Sequence, residues 1–317
     1  MANRRNFIKA AGVAGTLGIT GLSGCIGSFG SQPYGDGTVN FMMSPSEPQD
    51  YMMQQYRPYG EYLDEQIEDA SVELQYAADY TAVLQGLGSG TADIAETGPF
   101  AAALGVKDDK AEIALQRHAY GSWTYESVIV TQEDSDIEEL ADLEGKKVGF
   151  ADMASASGSL YPLYMLKQAG LNIGEAPTSD SGADFTGTWS GHAEAFSALE
   201  SGQVDAAGVG NFITQGDDGL KDGFRYVEKT EGIPRAPMVV SPELSDEEKQ
   251  NVVNALKGAP EKAYLGANGK SNDETGESGT EDDLWFDDVR PADLETYQPV
   301  IDVANELGLS TDLLNQG

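Results

Sequence analysis

Residues 149–159, Gly-Phe-Ala-Asp-Met-Ala-Ser-Ala-Ser-Gly-Ser, are the stretch best equipped to hold a charged guest. They run from a strand-like segment into a helix-like one, and their small side chains let a backbone approach a ligand closely. The hydroxyls of Ser155 and Ser157, with the unpaired amides of a first helical turn around Ala156, would make an anion site without a cationic side chain. The same residues also read as a serine cap on an ordinary helix, and both readings stay open. No Gly-Lys-Ser/Thr follows, so the loop is not a nucleotide-binding phosphate loop. A second helix opens at Gly191-His192-Ala193-Glu194, where His192 is either structural or a donor to an oxyanion. Tyr80, Thr97 and Tyr125 stand at starts of helices or strands, where they pack in a core or line a site.

The residue types for other chemistry are thin. His118 and His192 are the two histidines and Cys25 is the one cysteine, which leaves no transition-metal site, thiolate cluster or intrachain disulfide to expect. No nucleophile elbow and no readable Ser/His/Asp set is present, so the expectation is a protein that binds and does not catalyse, with no cofactor.

The 317 residues carry 19 Lys+Arg against 53 Asp+Glu, a formal net charge of −34. A nucleic-acid partner is thereby excluded. So much like charge would push a compact fold apart in ordinary buffer, whereas in molar salt the Debye length shrinks to about 3 Å and the repulsion is screened. The composition resembles that of proteins from extremely halophilic archaea. The densest acidic run, 271–288, holds eight acids and no base, and reads as a solvated surface loop.

At the N-terminus, Asn-Arg-Arg-Asn-Phe-Ile-Lys at 3–9 precedes an uncharged Gly/Ala-rich stretch and then Leu22-Ser23-Gly24-Cys25. This resembles a twin-arginine export signal ending in a lipobox, and its apolar part is too short for a comfortable membrane span. Lipidation of Cys25 would anchor the protein to the outer face of the cell membrane. Residues 1–25 are thus expected to be the signal and 26–37 a flexible tether.

From residue 38 the chain alternates short β-type runs with helical ones. Strands are predicted at 39–43, 72–76, 92–95, 126–131, 147–150, 204–209 and 237–241, and helices at 50–67, 80–87, 99–104, 159–169, 193–200, 246–257 and 291–307. Such alternation predicts parallel sheets covered by helices on both faces, with ligands beyond the carboxyl ends of strands. The pattern restarts near 147, which predicts an α/β chain of two lobes. Lobe 1 would be 38–130 and 235–317, lobe 2 an insertion at 131–234, and two strands would form the hinge.

Three blocks now carry a family resemblance: Asp79-Tyr80-Thr81-Ala82-Val83-Leu84-Gln85-Gly86-Leu87 with Ala92-Asp93-Ile94-Ala95, the Ser155–Ser159 loop, and Gly191-His192 placed ahead of Val204-Asp205-Ala206. In this order they resemble phosphonate/phosphate-type substrate-binding proteins of ABC transporters, over nearly all of 38–317. The resemblance implies a bilobal type II periplasmic-binding-protein fold, two mixed α/β lobes with a two-strand hinge, closing on a small oxyanion and passing it to a permease and its ATPase. A monomer is expected. Carried over, Ser155, the amide of Ala156 and Ser157 would hold phosphoryl oxygens, His192 would add a donor, and Tyr80 would close the first-lobe side, with Thr97 standing where family members often have Tyr. Tyr125, at a strand start of the same lobe, is a further candidate for the site. Asn211 and Arg235 lie where relatives that take aminoalkylphosphonates carry acids. An amine-bearing guest is therefore disfavoured, and Arg235 either supplements the anion site or lies on the surface. A receptor for a sulfonate or a thiamine precursor is the alternative.

Overall fold

Val39, Phe41 and Met43 alternate inward along the first strand, and helix residues Met52, Tyr56, Tyr59 and Leu63 recur at the spacing that puts them on one face above it. These residues begin the core of a computed structural model that describes residues 34–216, 219–271 and 282–315. The described residues all fall within one compact unit, Gln32–Gly317. The expected export signal, Cys25, residues 26–33 of the expected tether and the acidic stretch 272–281 lie outside them. The tether's last four residues, expected to be flexible, instead form a helical turn in which Tyr34 is buried and its amide donates to Glu248.

The strands are β1 Thr38–Met43, β2 Ser71–Tyr76, β3 Ile94–Glu96, β4 Glu112–His118, β5 Thr124–Gln132, β6 Lys147–Phe150, β7 Thr186–Trp189, β8 Ala206–Gly210, β9 Gln215–Gly216, β10 Gly219–Leu220, β11 Phe224–Pro234, β12 Pro237–Val240 and β13 Asp288–Pro291. The helices are the short turn α1 Tyr34–Gly37, then α2 Gln49–Gln66, α3 Tyr80–Gly88, α4 Pro99–Lys107, α5 Tyr161–Gln168, α6 His192–Glu200, α7 Asp246–Lys257 and α8 Gln298–Leu307. A six-stranded sheet has the order β13-β4-β12-β3-β1-β2, and a five-stranded one the order β11-β5-β8-β6-β7. The fold is thus two mixed α/β lobes.

The sheets are not the all-parallel ones that simple alternation predicts. β1 runs parallel to β2 and β3, and β6 parallel to β7 and β8, but β12 is antiparallel to β3 and β4, and β5 is antiparallel to β8 and β11. The exceptions belong to the two crossings: β4 and β5 carry the chain out and β11 and β12 carry it back beside them, so the outgoing and returning strands run in opposite directions. The crossing also falls earlier than expected. A boundary at 130/131 would cut β5, whose Val128, Ile129 and Val130 are buried in the five-stranded sheet, so the chain changes sheets at 119–123. It returns at 235–236, between β11 and β12. Tyr125, expected on the first lobe, therefore belongs to β5 of the second. In the first crossing Ala119 and Ser122 exchange backbone hydrogen bonds, and the turn between them needs positive φ at Tyr120 and Gly121.

Helix α8 connects the two halves. Val300 and Ala304 share a core cluster with Leu84 and Phe100 on one side and Leu160 and Tyr161 on the other. Lys167 and Gln168 of α5 also donate to the backbone and side chain of Glu306.

Candidate functional site

A cleft between the lobes is lined by Tyr80, Thr97, Tyr125, Ser155, Ala156, Ser157, His192 and Arg235. Two local devices shape its second-lobe wall. After β6, Ser155 takes an extended conformation and caps the next turn, its Oγ accepting from the Gly158 amide at 3.1 Å. A single π-turn, Ala156–Leu160, then leads into α5. Gly158 is required by close approach, since a Cβ there would meet Ala151 Cβ and stand 2.7 Å from His192 Cε1.

His192 begins α6, and its ring is buried. Nδ1 accepts the Gly210 amide at 3.1 Å, and burial pushes the imidazole pKa down to about 4, so the neutral ring carries its proton on Nε2. Nε2 lies 3.1 Å from Ser155 Oγ and donates to it. Both ring nitrogens are thus committed within the protein. The resemblance implied that His192 gives the guest a donor; in this structure its Nε2–H is directed at Ser155 Oγ, which it holds in place. With both lone pairs of Ser155 Oγ accepting, one from Gly158 and one from His192, the serine's own proton is left to give. Beside it, the Ser157 carbonyl accepts from Ser127 Oγ at 2.7 Å. Burial pushes the Tyr125 hydroxyl up to about 12, against hydrogen bonding with Ser157 and the charges of Arg235 and Arg117, so Tyr125 is also a donor at neutral pH.

The first-lobe wall holds Tyr80, at the start of α3. Asp79 caps that helix by accepting from Ala82 N at 2.7 Å, and Asp152 of the other lobe accepts from Tyr80 N at 3.4 Å. Burial raises the Tyr80 hydroxyl well above its ordinary value. Thr97 is fully buried, and its Oγ1 has no hydrogen-bond partner. An unmet buried hydroxyl is costly unless something else meets it.

Sequence reasoning missed several lining residues: Ser44, Glu47, Glu96, Arg117, Phe212 and Trp285. Arg117 and Glu96, each 1% exposed, form an ion pair of 2.7 Å. Arg117 also donates to Tyr56 Oη at 2.9 Å and to the Ala236 carbonyl at 3.0 Å, and its guanidinium stacks 4.2 Å from the Trp285 ring centre. Glu96 accepts from both the amide and the hydroxyl of Ser44. Trp285 corrects the reading of the acidic run as wholly solvated: Leu284 and Phe286 on either side of it are buried in the core. Three consecutive apolar residues amid the acids were the available signal. Asn211 is not on the cleft, because its amide donates to Glu126 at 3.3 Å; Phe212 faces the cleft instead.

Arg235 is 8% exposed, and its Nε donates to the Ser122 carbonyl at 2.9 Å. Its guanidinium lies 5.3 Å from the Tyr120 ring centre, and no carboxylate among the described residues pairs with it. Burial lowers its pKa from the usual arginine value, but that value is far above neutrality and the group stays charged. The Glu96 and Arg117 charges cancel, while burial and the neighbouring Glu96 push Glu47 up to about 7. A cationic cleft therefore sits inside a protein of net charge −34. Contact-range charges outweigh distant surface ones that salt screens.

A family model described as the periplasmic substrate-binding protein of ABC phosphonate transporters matches residues 41–297. The phosphate-import protein PhnD of Mycolicibacterium smegmatis is 33% identical over 178 residues, 53% of this chain and 54% of that one, so the chain spans about half the length of that relative. The phosphonates-binding periplasmic protein of Escherichia coli is 28% identical over 242 residues, 72% of this chain and 69% of its own. The crystal structure of a binding-protein component of an ABC phosphonate transporter from Pseudomonas aeruginosa has the same fold, with a TM-score of 0.69 and 23% identity over 86% of this chain and 85% of that one.

Proposed function

The chain belongs to the phosphonate family of periplasmic substrate-binding proteins of ABC transporters, and on that footing we propose that it captures phosphate, phosphite or a simple phosphonate in its interlobe cleft. The observation that carries the reading is the Ser155 hydroxyl: two protein donors occupy its acceptor sites, and its remaining capacity is to donate. Arg235 supplies an uncompensated positive charge and Thr97 an unmet hydroxyl in the same cleft. Tyr125 and Tyr80 add donors from opposite lobes, so a bound oxyanion would hold the lobes together. The protein acts as a receptor and not an enzyme, delivering its guest to a permease and its ATPase. It works as a monomer anchored through a lipid on Cys25.

Calorimetric titration with phosphate, phosphite, methylphosphonate and taurine tests the reading. Saturable binding of a phosphorus oxyanion and little heat from taurine are expected; tighter binding of taurine than of any phosphorus oxyanion would refute it. We further propose that the acidic surface adapts the fold to high salt, so desalting from molar to millimolar salt should remove much of the helical circular dichroism. An unchanged spectrum would contradict that adaptation.

A further inference from the structure

Glu47 lies in the Ser-Pro-Ser-Glu-Pro turn after β1 and lines the cleft beside Ser44, Tyr80 and Glu96. Its backbone carbonyl accepts from Tyr76 Oη at 2.8 Å, but among the described residues its carboxyl group has no hydrogen-bond or ionic partner. Glu96, the neighbouring acid, is in the opposite condition: Oε1 takes two donors from Ser44 and Oε2 takes Arg117. A carboxylate facing a bound oxyanion repels it unless a proton lies between their oxygens, and Glu47 is the carboxyl free to share one.

Resting on the phosphorus-oxyanion reading above, we propose that Glu47 is a specificity-determining residue that shares a single proton with an oxygen of the bound anion, so that each dianion enters the cleft together with one proton. The other titratable groups around Glu47 are committed elsewhere or lie too far from neutrality. Arg117 and Glu96 neutralise each other. The Tyr80 hydroxyl keeps its proton, and His192 is neutral with both nitrogens bonded. An outer recess also touches Glu47 and holds Tyr76, Asp79, Asp152 and Glu194. There Asp79 accepts from Ala82 N, and Asp152 from Ala154 N and Tyr80 N. Glu194 lines that recess and not the cleft. Arg235 attracts the anion but has no proton to exchange near neutral pH.

The proton balance is explicit. Above neutrality the empty protein carries Glu47 as carboxylate, the free guest is a dianion, and the complex gains one proton from solvent, held between a Glu47 oxygen and a guest oxygen. Burial and Glu96 already raise the carboxyl to about 7 in the empty protein, and an anion beside it raises it further. The bound state thus binds more protons than the free state above about pH 7, and affinity falls as pH rises through that window.

Calorimetry with inorganic phosphate in buffers of different ionisation enthalpy, from about pH 6 to about pH 9, measures this directly. The wild-type protein should take up about one proton per phosphate above pH 8, and its affinity should fall about tenfold per pH unit there. In Glu47→Gln the amide donates permanently, so proton uptake should drop to near zero and the affinity profile should flatten. Wild-type binding without proton uptake overturns the proposal whatever the variant does. Wild-type uptake that persists in Glu47→Gln also overturns it, because the proton then resides on the guest or another group. If neither phosphate nor methylphosphonate binds the wild-type protein, the phosphorus-oxyanion reading fails first and takes this proposal with it.

Discussion

Arg117→Leu should destabilise the protein by about 3–5 kcal/mol, measured by denaturant unfolding at fixed salt. The substitution leaves Glu96 1% exposed with no cation, its Oε2 stripped of a bond of 2.7 Å. It also unpairs Tyr56 Oη and the Ala236 carbonyl, and takes the guanidinium off the Trp285 ring. Adding Glu96→Gln removes the isolated charge, so the double variant should recover part of the loss. The coupling between the two sites is then nonzero by more than measurement error. A loss below about 1 kcal/mol for the single variant would show that water reaches Glu96 and that the pair is not the buried anchor of the cleft floor.

The other large effect is on binding. Ser155→Ala should weaken phosphate or methylphosphonate binding roughly ten- to hundredfold, since a hydrogen bond to a charged partner contributes about 1.5–3 kcal/mol. The variant loses more than a donor, because His192 Nε2 and the Gly158 amide then lack their acceptor. Ser157→Ala should add a further loss that is not simply additive, the two residues lying in one turn. Calorimetric affinities for the two single variants and the double variant read this out. Wild-type affinity in the double variant would remove the loop from the site.

Much of the frame was legible in the chain. Helices α2 and α7 announce themselves through apolar spacing, and α7 through the Ser245/Glu248 capping box as well. β1 and β6 are short apolar runs bounded by turn residues. Six strands among the described residues were not legible: the two-residue pair β9 and β10 and, for two further reasons, β4, β11, β7 and β13. β4 carries Glu112, Gln116 and Arg117, and β11 carries Glu228, Lys229 and Glu231, so their polarity conceals the pattern. In β4 the charge is buried and paired across the sheet with a residue 21 positions away; in β11 the polar residues face solvent from an edge. β7 and β13 are four-residue strands too short to show a period.

At the site, the loop 149–159 offered two readings, anion donor and helix cap. The structure shows why composition could not choose between them: the cap is the arrangement that fills the acceptor sites of Ser155 and leaves its proton free. The commitment of His192 to Gly210 depends on a strand end 18 residues away and has no local signature. Glu47 reads as a turn residue, and only the packing of that turn beside Glu96 gives it a place on the cleft.

The most direct test is a crystal structure of the protein with methylphosphonate bound. Phosphonate oxygens are expected within about 2.7–3.2 Å of Ser155 Oγ, Tyr125 Oη and Thr97 Oγ1, with the Arg235 guanidinium turned toward the anion. A phosphonate seated in the outer recess beside Asp152 and Glu194, out of reach of Ser155 Oγ, would contradict the account.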